Sequence, residues 1–155
     1  MNSVFSQFIT DVSAHIEESM PEIAWIDQYL GQDQTRIRPT LAYPAVLIDF
    51  DRTEYSMTGE ANQLAECRIS FRLLFDNYAS SAQKAPEKTR ATAFHLYAVE
   101  KKLVDILHNW QPDDGYMQPL VRVSSASQNR NDIGLKIRIL SFTTAWNEDI
   151  SFYKL

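Results

Sequence analysis

Residues 65–76, AECRISFRLLFD, alternate between apolar and polar positions. Cys67, Ile69, Phe71, Leu73 and Phe75 point one way along an extended backbone. Arg68, Ser70, Arg72 and Asp76 point the other way, with Leu74 as the apolar intruder. A period of two held over ten residues is the signature of a strand with one buried face. Burying those five side chains contributes roughly 10 kcal/mol at most, before conformational entropy is charged. A core must therefore lie against this face.

The flanking patterns supply the pieces of that core. Val4, Phe5, Phe8, Ile9, Val12 and Ile16 recur at helical spacing, which predicts an amphipathic helix over 3–19 with Ser3 as its N-cap and Pro21 beyond its end. Residues 22–30, EIAWIDQYL, read as a short strand with Ile23, Trp25, Asp27 and Tyr29 on alternate positions. Gly31 and the polar run from Gln32 to Arg38 predict a loop closed by Pro39. YPAVLIDF, 43–50, is apolar on both sides from Ala45 to Ile48, so it belongs in the middle of a covered sheet. The polar stretch 51–63, with Gly59, is too short for a helical crossover and predicts a hairpin link.

After a small-polar loop at 77–84, Pro86 suits the first turn of a long helix reaching about Trp110. Its stripe is Leu96, Val99, Leu103, Ile106 and Trp110, and the helix should pack across the sheet. Pro112 and Gly115 break it. Residues 118–126 and 134–146 predict two final strands around a polar tip, SQNRND, at 127–132. The apolar side of the last strand changes around Leu140 to Phe142, which predicts a bulge or an edge leaving the sheet. Residues 147–155 read as an exposed tail. The expected fold is α+β, a single domain over 1–155 with a mainly antiparallel sheet, an N-terminal helix and a long second helix packed on it, in the order α-(β)-β-β-α-β-β.

Composition narrows the function. A chain of 155 residues with 45% hydrophobic content can close one core without staples. Net charge is −5 and Lys and Arg form no cluster, so neither nucleic-acid specificity nor a membrane surface is expected. Cys67 is the sole cysteine, which excludes an intrachain disulfide and reads as a small core residue. The N-terminus lacks a basic region followed by an apolar block, and no apolar run nears the roughly 20 residues that span a bilayer. A cytosolic product is the expectation.

Candidate chemistry is sparse. His15, His95 and His108 lie far apart, with no second His or Cys at the spacing of a helical zinc site, and read as surface or locally bonded residues. There is no G-x-S-x-G, P-loop or G-x-G-x-x-G. Asp49 and Asp51 in IDFDRTEY stand at i and i+2, which a strand places on one face, and with Glu54 could hold a divalent cation, although Asp51 and Glu54 read as loop carboxylates as well. No cofactor and no metal is expected. Asp49, Glu66 and position 68, on consecutive strands, resemble the PD-(D/E)XK nuclease core, whose carboxylates hold a metal while a lysine positions the attacking water. Position 68 is Arg68, whose guanidinium stays charged and cannot act as a tunable amine.

YPAVLIDF, AECRISFRLLFD, the helix to Trp110 and LVRVSSASQNRNDIGLKIRILSFTTAW together resemble phage tail terminator proteins of lambda-like siphophages, and the related tail-completion and neck proteins. The resemblance is one of element order and covers about Ser3 to Trp146. It implies a non-enzymatic protein that forms an oligomeric ring, six-membered in that family, on the end of the tail tube and joins it to the head–tail connector. The implied partners are further copies of the chain, the tail tube protein and the connector protein. The implied location is the tail or neck of the virion, with the host cytoplasm as the place of assembly. On that basis the loops Gln32–Arg38, Arg52–Gln63 and Ser127–Asp132 are expected to face partners. Arg36, Arg38, Arg130, Asn131 and Asp132 are the expected interface residues, because planar guanidinium groups suit interfaces. A generic adaptor domain that binds a protein through its sheet edge is the remaining alternative.

Overall fold

A computed structural model describes residues 3–76, 79 and 81–150. Eight elements follow one another: helix α1 (Val4–Ser19), strands β1 (Trp25–Gln28), β2 (Ala45–Met57) and β3 (Asn62–Phe75), helix α2 (Glu87–Leu107), strand β4 (Val121–Ser127), a 3-10 turn (Asn131–Ile133) and strand β5 (Lys136–Asp149). One five-stranded sheet runs in the order β1-β2-β3-β5-β4. β1 is parallel to β2 and every other pairing is antiparallel. The fold is therefore the expected α+β arrangement, with both helices on one face of the sheet.

β3 sits at the centre, between β2 and β5. Cys67, Ile69, Phe71, Leu73 and Phe75 are all buried in one large cluster beneath the helices, as their spacing predicts. α1 contributes Phe8, Val12 and Ile16 to that cluster, and α2 contributes Leu96, Val99, Leu103, Val104 and Leu107. The Ser3 hydroxyl accepts from the Phe5 N–H at 3.2 Å, so the predicted cap is made. Phe5 meets Phe50 and Trp146 edge to face, at centroid separations of 4.7 and 5.6 Å. α2 stops at Leu107, earlier than Trp110; Ile106 and Trp110 still pack against the core as half-buried neighbours.

Four expectations need correction. The polar stretch 51–63 is mostly strand, not loop. β2 runs on to Met57, paired with β3 as far as Met57↔Gln63, and only 58–61 turn the chain. From Arg52 to Met57 the side chains of β2 are exposed apart from the half-buried Thr53, so polar residues meet no penalty and the backbone ladder is the main tie. The exposed tail does not begin at 147: β5 continues to Asp149, paired to Asn62, and 151–155 lie outside the described residues. β5 also shows no bulge against β3, where pairing is unbroken from Lys136 to Asp149. Its apolar side changes because its two ends meet different cores: Leu135 and Ile137 face one side of the sheet, Leu140 and Phe142 the other. The register shift lies in β4, between Arg122 and Ser124. Finally, the strand expected over 118–126 begins only at Val121: Leu120 lies just before it and is buried, while Val121 and Val123 are exposed on β4, an edge strand.

The sheet's second face is covered only at one end. Ala45, Leu47, Leu74, Leu135 and Ile137 form a small separate core there, roofed by Tyr29, Leu41, Tyr43 and Ile133. Leu74, the intruder on the polar side of β3, belongs to this second core. The connection 29–43 thus lies as a strap over that end of the sheet. The rest of this face stays polar and open.

Candidate functional site

The strap is pinned by a buried carboxylate. Asp33 is 0% exposed, although it sits in a polar run. It accepts from the Tyr29 hydroxyl at 2.7 Å, from the Gln34 amide at 3.2 Å, and from Arg72 Nε and Nη2 at 3.0 and 2.6 Å. Arg72 projects from the second face of β3, lies over the Tyr29 ring at 4.5 Å, and also donates to Gln128. Burial works to raise the Asp33 pKa. The hydrogen bonds from Tyr29 and Arg72, with the Arg72 charge, outweigh it and hold the carboxyl below its ordinary value. Burial and the same carboxylate push the Tyr29 phenol upward. One forked ion pair thus ties the strap to the sheet and to the β4–β5 tip.

The expected interface residues divide over this end of the molecule. Arg130 faces inward along the strap. It donates to the Asp33 carbonyl at 2.7 Å, to the Thr35 carbonyl at 3.0 Å and to both Asp132 oxygens at 3.0 and 2.9 Å. It serves as a clamp between strap and tip, with Asp132 as its counter-charge. The Asn131 Oδ1 accepts from Lys136 at 3.0 Å. Arg38 lies 3.6 Å from Asp76, just past the end of β3. Arg36 is exposed. Beside it stand two residues that composition gave no reason to single out: Leu30, 71% exposed, and Ile37, 76% exposed. Thr35 donates to the Ile37 carbonyl at 2.5 Å and Gln32 Oε1 accepts from the Leu30 N–H at 2.6 Å, so the backbone carrying both is held locally. The arrangement is a braced loop that displays two aliphatic side chains and a guanidinium.

The nuclease-like residues are not assembled. Asp49 pairs across to Ser70, while Glu66 faces Glu54, four positions further along β3. That separates them by roughly 13 Å of strand. Arg68 donates to Ser124 at 2.9 Å and lies 3.9 Å from Asp51, whose carboxylate also accepts from Ser70. A bulge between Phe50 and Arg52 shifts the alternation, so Asp49 and Glu54 lie opposite Ser70 and Glu66 on one face, and the Asp51 carboxylate reaches Ser70 and Arg68 there. Among the described residues no three His, Cys, Asp or Glu side chains converge as metal ligands. These polar groups line the open part of the second face, with a depression of about 500 Å³ between Arg52, Glu54, Arg68 and Val121.

Two of the histidines, His15 and His108, bond between elements, while His95 is exposed. His15 Nε2 lies 2.7 Å from the Ile106 carbonyl, and its ring stacks on Trp110 at 4.7 Å. The surface or local reading of His15 is thereby corrected: it joins α1 to the end of α2. His108 Nδ1 accepts from the Arg122 N–H at 3.2 Å, and the Asn109 N–H donates to the Leu120 carbonyl at 2.6 Å. The segment after α2 therefore covers the start of β4's free edge. The bulge lies beside it, and from Ser124 to Ser127 β4 is an edge strand with exposed residues.

No family model matches the chain, and no curated protein matches it. Among solved structures it is similar to a chain of the virion of a native gene transfer agent particle, with a TM-score of 0.58 and 11% sequence identity. The superposition covers 96% of this chain and 100% of that one. At that identity the likeness shows a shared fold, extending from end to end of both chains.

Proposed function

We propose that this protein is a structural component of a phage or prophage virion that caps the tail tube as an oligomeric ring, six-membered on the family resemblance, and joins it to the head–tail connector. The observation that carries the reading is the end-to-end match of fold with a virion chain. It coincides with the element order that resembles tail terminator proteins. The geometry of the polar face supports a non-enzymatic role: Asp49 and Glu66 stand apart, and Arg68 is engaged with Ser124 and Asp51. The partners on this reading are further copies of the chain, the tail tube protein and the connector protein. The site of action is the tail or neck, after assembly in the host cytoplasm.

Negative-stain imaging of the purified protein, alone and mixed with tail tubes, tests this. Rings of uniform diameter, or caps confined to tube ends, are expected. Tubes that stay uncapped, together with particles of single-chain size at every concentration, would contradict it.

A further inference from the structure

We infer that the ring is closed by the strap of one copy docking into a notch on the helix side of the next. The inference rests on the ring reading above and names its contact surface. The donor surface is Arg36 and Ile37 on the braced strap. Ile37 is 76% exposed, and an aliphatic side chain held out on a pinned loop loses little conformational freedom when it is covered. The receiver lies between α1 and the segment after α2. It is a recess of about 360 Å³ lined mainly by polar groups, Glu18, Asp113 and Asp114 among them, together with Ala14, Trp110 and Pro112. Its wall is fixed by the His15 stack on Trp110 and by the Tyr116 hydroxyl donating to Asp11 at 2.7 Å. The carboxylates of the recess suit the Arg36 guanidinium, and Trp110, Pro112 and Ala14 offer apolar contact to the neighbouring Ile37.

Complementary charge argues for a second copy as the occupant, since this chain carries both the exposed Arg36 and the carboxylates of the recess. The strap roofs the second face of the sheet, while the notch belongs to the helix layer on the opposite face. A copy cannot fill its own notch with its own strap. A contact between two different patches is heterologous, and such contacts close into rings when the rotation allows. The depression beside Arg52 and Arg68 is the competing receiver, but it lies on the same face as the strap. Docking there would set two copies face to face, which favours a two-fold dimer.

The test is native mass spectrometry with light scattering on the full chain and five variants whose melting curves confirm folding. Arg36→Glu, Ile37→Asp and the double change Asp113→Lys with Asp114→Lys are each expected to shift rings to single chains, with association weakened about tenfold or more. Arg36→Glu combined with the two lysine changes is expected to restore rings, whereas Arg52→Ala is expected to leave them intact. Rings that persist in all three disrupted variants would overturn this contact while leaving the ring reading standing. A two-fold dimer of the unaltered chain would overturn the contact as well. Single chains at every concentration, with or without tail tubes, would overturn the ring reading and this inference with it.

Discussion

The two faces of one sheet are held down by different forces. Beneath α1 and α2, every second residue of β3 from Cys67 to Phe75 is buried against helix side chains, and burial of apolar surface supplies the stability. On the reverse face, among the described residues, the buried apolar cluster is Ala45, Leu47, Leu74, Leu135 and Ile137, all at one end. What keeps the strap over them is the Asp33–Arg72 pair and the Arg130 clamp. The first arrangement is spread over many contacts and tolerates local change. The second converges on a single carboxylate, and it positions a loop. The comparison teaches that the helix side makes the fold, whereas the strap side spends its polar network on holding a surface in place.

Removing a large side chain from the helix side should cost most. Phe71→Ala empties a fully buried site against Phe142 and is expected to lower unfolding free energy by about 3–5 kcal/mol in a denaturant titration. Asp33→Asn should come next, at roughly 3 kcal/mol, because Arg72 is left buried without its counter-charge. The two should differ in kind. Hydrogen exchange is expected to show Phe71→Ala loosening the whole sheet and Asp33→Asn loosening chiefly 29–43 and 128–135. Equal loosening everywhere in both would erase the distinction between the faces.

Acid should act on the strap side through the same carboxylate. Its folded pKa lies below the ordinary 3.8, so the unfolded chain binds the proton more readily. The stability it contributes is complete above that ordinary value and is lost as pH falls through the lower, folded one. Thermal melts are expected to fall more steeply below pH 3.8 for the unaltered chain than for Asp33→Asn. The smallest effect belongs to the open part of the second face. Arg52 and Glu54 pair at 2.8 Å with side chains 77% and 67% exposed, and Arg52→Ala should change stability by less than about 0.5 kcal/mol.

The sequence discloses most of the helix side and little of the strap side, for a physical reason. Burial leaves a periodic trace, so β3, α1 and the stripe of α2 could be read from spacing alone. The extensions of β2 through Arg52–Met57 and of β5 through Asn147–Asp149 leave none, because their side chains are mostly exposed and the ladder is made by backbone. The change of side within β5 looked like a bulge because one strand serves two cores. Asp33 could not be found in a polar loop: its burial depends on Arg72 and Arg130, which lie 39 and 97 positions away. Arg130 was identified as an interface residue for its chemistry, and that same forked chemistry is used inward. Arg36 alone among the named arginines combines exposure with the display of Ile37.

Two adjacent positions test the two-faced sheet most directly. Cys67 lies under the helix layer, where burial also pushes its thiol pKa up, and residue 68 lies on the open face. Labelling with a thiol reagent at neutral pH should modify Cys67 only as fast as the protein unfolds. A cysteine at position 68, made as Arg68→Cys in a Cys67→Ser background, should react at a rate close to that of a free thiol. Comparable rates at the two positions, whether both fast or both slow, would contradict the account.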